Sequence, residues 1–125
     1  MGWIILISAK RLLLVGDVLE KKCSVIAEFS IVPLGHGETS IGCYVAEAIG
    51  ALKKVKGLTF EVTAMGTVLE AGSLETIFEA VKVAHEAMVA AGILRVVSTL
   101  RIDDRRDKPR TMKDKVDAVN KYMKA

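Results

Sequence analysis

Seven residues of this sequence have side chains or backbone positions suited to holding a small polar ligand. Hydroxyl groups both donate and accept hydrogen bonds and a carboxylate accepts them, so together they could recognise a polar heterocycle. A glycine in such a set lets a ligand approach the backbone closely. The candidate ligand-binding residues are Glu28, Ser30, Thr63, Met65, Gly66, Thr67 and Thr99.

Each candidate also has a structural interpretation, and the sequence leaves both open. Glu28 could accept a hydrogen bond from an exocyclic amine or offset a cationic ring. An ion pair with Arg101 or Arg95 on a neighbouring strand is the favoured alternative, because a partly buried carboxylate needs a partner. Serine and threonine could be present for strand propensity and subunit contact, and Gly66 could simply form a turn.

The remaining reactive side chains do not indicate catalysis. His36 lies between two glycines and His85 near the apolar edge of a helix, and neither has a nucleophile in a recognisable motif. The phosphate-loop patterns GxxxxGK[ST] and GxGxxG are absent, and Cys23 and Cys43 form no CxxC pair. We therefore expect a binding protein rather than an enzyme, with no catalytic residues, no metal site and no cofactor.

Composition favours one globular domain and argues against a nucleic-acid partner. The chain has 125 residues, of which 51% are hydrophobic and 26% are charged, a balance that supports a real core. The net charge is +3. Its one basic run, Arg101–Arg110, is interrupted by Asp103, Asp104 and Asp107, which would repel phosphates.

Residues 1–23 have the character of an apolar extension that precedes a domain of residues 24–125. Lys10, Arg11 and Asp17 interrupt this extension well before the roughly 20 apolar residues that a membrane span needs. Its positive charges fall in the middle, whereas a signal peptide carries them at the start. We expect no membrane span, a cytoplasmic location, and packing of the extension against the domain or a neighbouring subunit.

Hydrophobic periodicity predicts the elements that position the candidate residues. Alternation with a period of two predicts strands at 24–32, 58–64, 67–70 and 95–103. Apolar spacings of three and four predict helices capped by Thr39 or Ser40 and by Ser73. A C-terminal helix follows, with Thr111 and Asp114 as a capping box.

The order of these elements, βαββαβ with an additional helix, is that of a ferredoxin-like α+β sandwich. Two right-handed crossovers would place both main helices on one face of a four-stranded antiparallel sheet. The other face is left for solvent, a ligand or a partner. Alternation assigns to this open face Glu28, Ser30, Thr59, Glu61, Thr63, Val97, Thr99 and Arg101.

Three segments resemble the thiamine-binding domain family, which comprises small proteins of archaea, bacteria and yeasts. They are Val25–Gly35 (VIAEFSIVPLG), Thr63–Glu70 (TAMGTVLE) and Arg95–Lys108 (RVVSTLRIDDRRDK), and the likeness covers about Ser24–Tyr122. The resemblance implies the same ferredoxin-like fold, assembly into homodimers or homotetramers, and binding of thiamine or its hydroxymethylpyrimidine moiety. It implies no established catalytic activity. The alternative is an interaction protein whose assembled surface is the functional element.

Overall fold

Alternating hydrophobic residues form the sheet, and helical apolar stripes cover it. The structure, a computed structural model, describes residues 24–123; the proposed extension of residues 1–23 lies outside them. The elements are β1 (Val25–Leu34), α1 (Gly42–Ala51) with a short 3-10 helix (Leu52–Lys54), β2 (Leu58–Val62), β3 (Thr67–Ala71), α2 (Leu74–Ala90), β4 (Arg95–Asp104) and α3 (Met112–Tyr122).

The four strands form one sheet in the order β2-β3-β1-β4. β3 pairs antiparallel with both β1 and β2, and the register places Leu69 opposite Ala27 on one side and Phe60 on the other. Because opposed residues point to the same face, these three side chains meet beneath the helices. The observed order confirms the predicted ferredoxin-like topology.

The core lies between the sheet and helices α1 and α2. On β1, the alternate residues Val25, Ala27, Phe29 and Ile31 are all buried. Small residues on the helices, such as Ala48, Ala80 and Ala84, are completely buried and allow a close approach to the sheet. The period-two alternation predicted for β1 is therefore confirmed, with its apolar side under the helices.

The helix starts follow the predicted caps in two of three cases. Ser73 accepts a hydrogen bond from the Thr76 backbone N–H at the start of α2, and Thr111 and Asp114 form the expected capping box on α3. The predicted cap of α1 by Thr39 or Ser40 is wrong. That helix begins after Ile41, which is half-buried and forms no side-chain capping hydrogen bond.

The chain divides into two compact units. One is Val25–Asp103, which contains the sheet, α1 and α2. The other includes the described residues 104–123 and therefore α3, none of whose residues is buried. Within residues 24–123, no helix has the combination of length and apolar character required to cross a membrane.

Candidate functional site

A cavity of about 200 Å³ lies at one end of the sheet, and we refer to it as the end cavity. Its walls come from the second half of β1, one side of α1 and the hairpin that joins β2 to β3. The lining residues are Phe29, Ser30, Ile31, Val32, Ile41, Val45, Ile49, Val62, Thr63, Ala64, Met65, Gly66 and Thr67.

Five of the seven sequence-predicted site residues line this cavity together. They are Ser30, Thr63, Met65, Gly66 and Thr67. β1 contributes the first, and the β2–β3 hairpin contributes the other four. The remaining two candidates, Glu28 and Thr99, are outside the lining.

The hairpin wall is held by Thr63. Its backbone N–H donates to the Gly66 carbonyl oxygen at 2.8 Å. Its hydroxyl also donates to that oxygen at 2.8 Å and accepts from the Met65 N–H at 3.3 Å. Because a hydroxyl has one proton to donate, Thr63 keeps only acceptor capacity for any ligand. Its established contacts are those that shape the turn.

Gly66 allows the hairpin to lie close against β1. A Cβ atom at this position would be 3.1 Å from the Phe29 carbonyl oxygen and 3.8 Å from the Ser30 Cβ. The first distance is shorter than a comfortable carbon–oxygen contact, so a side chain would push the hairpin away from the strand. Glycine is therefore required by packing at this point, which also determines the width of the end cavity.

Two residues of the lining bear hydroxyl groups that the hairpin turn does not use. Thr67 lies opposite Phe29 in the sheet register, on the helix side of the sheet, and is only 3% exposed. Ser30 is half-buried on β1 and, two residues after Glu28, is placed by alternation on the open face. Thr67 is therefore the lining residue whose hydroxyl lies on the helix side of the sheet, where it can donate and accept hydrogen bonds.

None of the thirteen lining residues within 24–123 has an ionisable side chain, so the described part of the lining has no formal charge. Most of the wall is aliphatic, including Ile31, Ile41, Val45, Ile49 and Val62. An ionic group placed there would lose its hydration without gaining a counter-ion. The site is therefore suited to an uncharged ring with a few hydrogen-bonding atoms.

Glu28 and Thr99 belong to the opposite side of the sheet. The Arg101 guanidinium donates to the Glu28 carboxylate at 3.0 Å, which confirms the predicted ion pair. The two side chains are 81% and 52% exposed, so solvent screens this contact. Thr99 is exposed two residues before Arg101 on β4, so alternation places both on the open face.

The two histidines lie outside the cavity lining. The His36 ring is tilted against Tyr44 with 5.0 Å between centroids. Its Nδ1 atom is buried without a hydrogen-bond partner. On α2, the His85 Nδ1 is 2.8 Å from the Ser98 hydroxyl of β4. This contact ties a helix to the sheet and gives His85 a structural role.

The charged segment after β4 pairs its charges locally. Arg106 contacts Asp104 at 2.6 Å, and Arg105 contacts Asp107 at 2.7 Å. The hydrogen bond from each guanidinium lowers the pKa of its carboxyl below the ordinary value of 3.8. No group of three or more potential metal-ligating side chains occurs among the described residues.

Sequence reasoning missed the α1 wall of the site. Ile41, Val45 and Ile49 were placed on one helix face by their spacing of four, and that signal is correct. Periodicity does not say whether an apolar face covers the core or a cavity. Only the position of α1 over the end of the sheet brings these three residues to the hairpin.

Fold and site together define a class: a small ferredoxin-like α+β domain with an uncharged cavity at one end of its sheet. Residues 27–120 match the sequence profile of a family described as thiamine-binding protein. This match covers most of the chain, and the chain belongs to that family. The sequence resemblance is thereby confirmed.

Relatives from several organisms share the family designation UPF0045. The UPF0045 protein of Methanothermobacter thermautotrophicus is 50% identical over 95 residues, which are 76% of this chain and 95% of the relative. The UPF0045 protein YqgV of Bacillus subtilis is 36% identical over 101 residues, covering 78% of this chain and 96% of the relative.

Solved structures show the same fold. Protein MJ1052 of Methanocaldococcus jannaschii superposes with a TM-score of 0.70 at 45% identity, covering 78% of this chain and 96% of the other. A Thermotoga maritima protein provisionally assigned to thiamine biosynthesis or salvage superposes with a TM-score of 0.63, covering 77% of this chain and 98% of the other. At 23% identity, the latter comparison supports the fold alone.

Proposed function

We propose that this protein binds thiamine or its hydroxymethylpyrimidine precursor without catalysing a reaction, and that the pyrimidine ring occupies the end cavity. One observation carries the proposal: five residues selected from the sequence, for their chemistry and their place on the open face or at the β2–β3 hairpin, line one cavity whose described lining is uncharged. Membership of the thiamine-binding protein family supports the class of ligand.

The size of the cavity favours one ring. Pockets that enclose drug-sized ligands have volumes of about 300–1,000 Å³, and the end cavity has about 200 Å³. A whole two-ring thiamine exceeds that space, so its second ring extends towards solvent. The second ring leaves the cavity past the tip of the β2–β3 hairpin, because Met65 at this tip is 86% exposed.

Each lining residue has a defined part in the proposed complex. The Thr67 hydroxyl bonds to a ring nitrogen or the exocyclic amine of the pyrimidine. Met65 and Gly66 form the wall on which the ring lies, and Thr63 holds that wall in place. Glu28 and Thr99 remain on the open face and do not contact the ligand in this arrangement.

The absence of ionisable side chains from the lining supports binding without catalysis. General acid–base catalysis needs a titratable group within hydrogen-bond reach of the reacting atom, and the end cavity provides none among its lining residues. We expect His36→Ala to leave ligand affinity unchanged, because His36 is outside the lining.

Calorimetric titration with thiamine and with hydroxymethylpyrimidine tests the proposal. Thr67→Val removes a cavity hydroxyl, and Thr99→Val removes a matched hydroxyl on the open face. Loss of one hydrogen bond of about 1 kcal/mol weakens binding roughly fivefold, so Thr67→Val should weaken binding by that factor. The Thr99→Val variant should bind as the wild type does.

Two outcomes would contradict the proposal in different ways. If the wild type gives neither heat nor a thermal shift with millimolar ligand, this class of ligand is wrong. If Thr99→Val weakens binding while Thr67→Val does not, the ligand lies on the open face and the end cavity is wrong.

A second candidate function is a surface for homo-oligomer assembly, as a dimer or tetramer. It is favoured by α3, on which Val116, Val119, Tyr122 and Met123 are 56–86% exposed. These residues recur at helical spacing and form one apolar stripe. Contiguous exposed apolar residues of this kind are typical of interaction sites.

Light scattering coupled to gel filtration tests assembly through α3. Val116→Glu places a carboxylate on the apolar stripe and should reduce the assembled mass to that of the monomer. Lys121→Glu introduces the same side chain on the opposite side of α3 and serves as the control. A wild type that is monomeric at micromolar concentration would exclude this candidate.

A further inference from the structure

A second cavity of about 440 Å³ adjoins the end cavity, between α1 and the edge strand β2, and we refer to it as the side trough. Its lining includes Val45, Ala46, Ile49, Lys53, Phe60 and Val62. Val45, Ile49 and Val62 also line the end cavity, so the two spaces meet along these side chains. Val62 ends β2 at the base of the hairpin, beside the exit proposed for the second ring. Together the two cavities offer a concave surface longer than one ring.

The side trough differs from the end cavity because it carries a positive charge. Lys53 is the only ionisable residue of its lining within residues 24–123, so no described carboxylate lines the trough with it. Lys53 follows Ile49 by four positions, as Ile49 follows Val45. This spacing continues the wall of the end cavity along one side of α1, through the adjoining 3-10 helix, to the lysine. At roughly 1.5 Å per residue, Val45 and Lys53 are about 12 Å apart along the helix axis.

Helical position alone does not account for the placement of Lys53. Lysine is favourable near the negative end of a helix, and both Lys53 and Lys54 lie in the 3-10 helix that follows α1. Lys54 lines a separate cavity, together with Glu75 and Glu79. Of these two neighbouring lysines, only Lys53 borders the side trough.

We propose that the side trough holds the outer half of the ligand and that Lys53 binds a phosphate at its far end. This inference rests on the proposed function and names the form of the ligand, which is thiamine esterified with phosphate at its hydroxyethyl group. The pyrimidine lies in the end cavity, and the second ring lies against Ala46 and Phe60. That second ring is a cation, and the described linings provide no carboxylate to offset it. The phosphate supplies the opposite charge that unesterified thiamine lacks.

Calorimetric titration with hydroxymethylpyrimidine, thiamine and thiamine monophosphate tests this inference. Thiamine monophosphate should bind about fivefold or more tightly than thiamine, through a charge-assisted hydrogen bond from Lys53. The preference should decrease with added salt, because Lys53 is exposed. The phosphate ester of hydroxymethylpyrimidine should bind no more tightly than the free alcohol, since its phosphate would lie in the uncharged end cavity.

Three variants assign the preference to the side trough. Lys53→Gln removes the cation and should abolish the preference for thiamine monophosphate over thiamine. Lys54→Gln is the matched control, because it removes the same charge one residue away and should retain the preference. Ala46→Leu fills the trough at an exposed helix position without changing charge, and it should weaken binding of thiamine monophosphate about fivefold or more. All three variants should bind hydroxymethylpyrimidine as the wild type does.

The results separate this inference from the proposed function. A wild type that binds none of the three compounds removes the proposed function, and this inference with it. A wild type that binds hydroxymethylpyrimidine but does not prefer thiamine monophosphate to thiamine overturns this inference alone. A preference that Lys53→Gln leaves intact, or that Lys54→Gln reduces equally, also overturns it, because the phosphate is then not bound by Lys53. Unchanged affinity of Ala46→Leu for thiamine monophosphate would show that the ligand does not enter the side trough.

Discussion

At the scale of single residues, the candidate site combines groups that build the cavity with groups that face it. Thr63 donates its hydroxyl proton to the Gly66 carbonyl oxygen, whereas the hydroxyls of Ser30 and Thr67 form no hydrogen bond within residues 24–123. Residue type alone does not distinguish these roles, because all three side chains are hydroxyls. The neighbouring backbone does, since it supplies an acceptor to one and none to the others.

Gly66 gives the first residue-scale prediction. Gly66→Ala places a methyl group 3.1 Å from the Phe29 carbonyl oxygen, so the hairpin must move and the free energy of unfolding should fall by about 1–3 kcal/mol. Urea unfolding followed by circular dichroism measures the change. Gly72→Ala is the control, because its added Cβ has no atom within 4 Å and should leave stability unchanged or raise it by up to about 1 kcal/mol. Equal stability of the two variants would contradict the close approach.

At the scale of elements, the helices differ in how their first turns are satisfied. α2 and α3 have side-chain caps, from Ser73 and Thr111. α1 begins after Ile41 without one. The uncapped helix is the one whose first turn borders the end cavity, where Ile41 is part of the wall.

The cap of α2 gives the second prediction. Ser73→Ala removes the acceptor of the Thr76 N–H and should lower the free energy of unfolding by about 1 kcal/mol. Ser40→Ala is the matched control, since α1 does not use Ser40 as its cap, and it should change stability by less than about 0.5 kcal/mol. Thermal and urea unfolding of both variants check the difference. A larger effect at Ser40 would show that α1 starts earlier than observed.

The capping box of α3 gives a prediction for pH. The Thr111 N–H donates to the Asp114 carboxylate at 3.0 Å, and this bond lowers the pKa of Asp114 below the ordinary value of 3.8. A carboxyl whose pKa is lower in the folded state stabilises that state when ionised. The contribution is therefore complete above the ordinary value and is lost as pH falls through the lowered value.

NMR chemical shifts of the α3 amides between about pH 2 and pH 5 should report this loss as fraying of the first turn. Asp114→Asn removes the titrating group, so its α3 should change little over the same range. Asp117→Asn is the control, because Asp117 bonds only to Lys113 in the surface pair of α3. Identical acid fraying in wild type and Asp114→Asn would contradict the role of the box.

At the scale of the whole molecule, the unit Val25–Asp103 depends on side chains that meet between the sheet and its two helices. Leu69 lies on β3 between Ala27 and Phe60 and is completely buried. It therefore contacts neighbours from both adjacent strands. Loss of such a central side chain leaves a cavity that the surrounding core fills only in part.

Leu69→Ala should accordingly lower the free energy of unfolding by about 2–5 kcal/mol. Leu94→Ala removes the same atoms from a residue that is 101% exposed and should change stability by less than about 0.5 kcal/mol. Urea unfolding of the two variants measures the contrast. Comparable effects would mean that β3 does not pair in the observed register.

Local periodicity was sufficient to predict the strands and helices and their order along the chain. The alternation of Val25, Ala27, Phe29 and Ile31 identified the buried side of β1, because a strand directs successive side chains to opposite faces. Ser73 and Asp114 marked the starts of α2 and α3, because capping involves residues only a few positions apart. The start of α1 was missed, since the helix begins after Ile41, whose side chain forms no capping hydrogen bond that a sequence pattern could mark.

The sequence by itself determined which residue types could bind a polar ring, and it placed Ser30, Thr63 and Thr67 on strands or at a hairpin. Only the tertiary structure decided that Thr67 and the β2–β3 hairpin line one cavity with α1 side chains at the end of the sheet, while Glu28 pairs with Arg101 on the open face. The physical reason is that a cavity is formed by elements far apart in the chain. Their mutual distance depends on long-range packing, including the absence of a side chain at Gly66, and local periodicity carries no information about it.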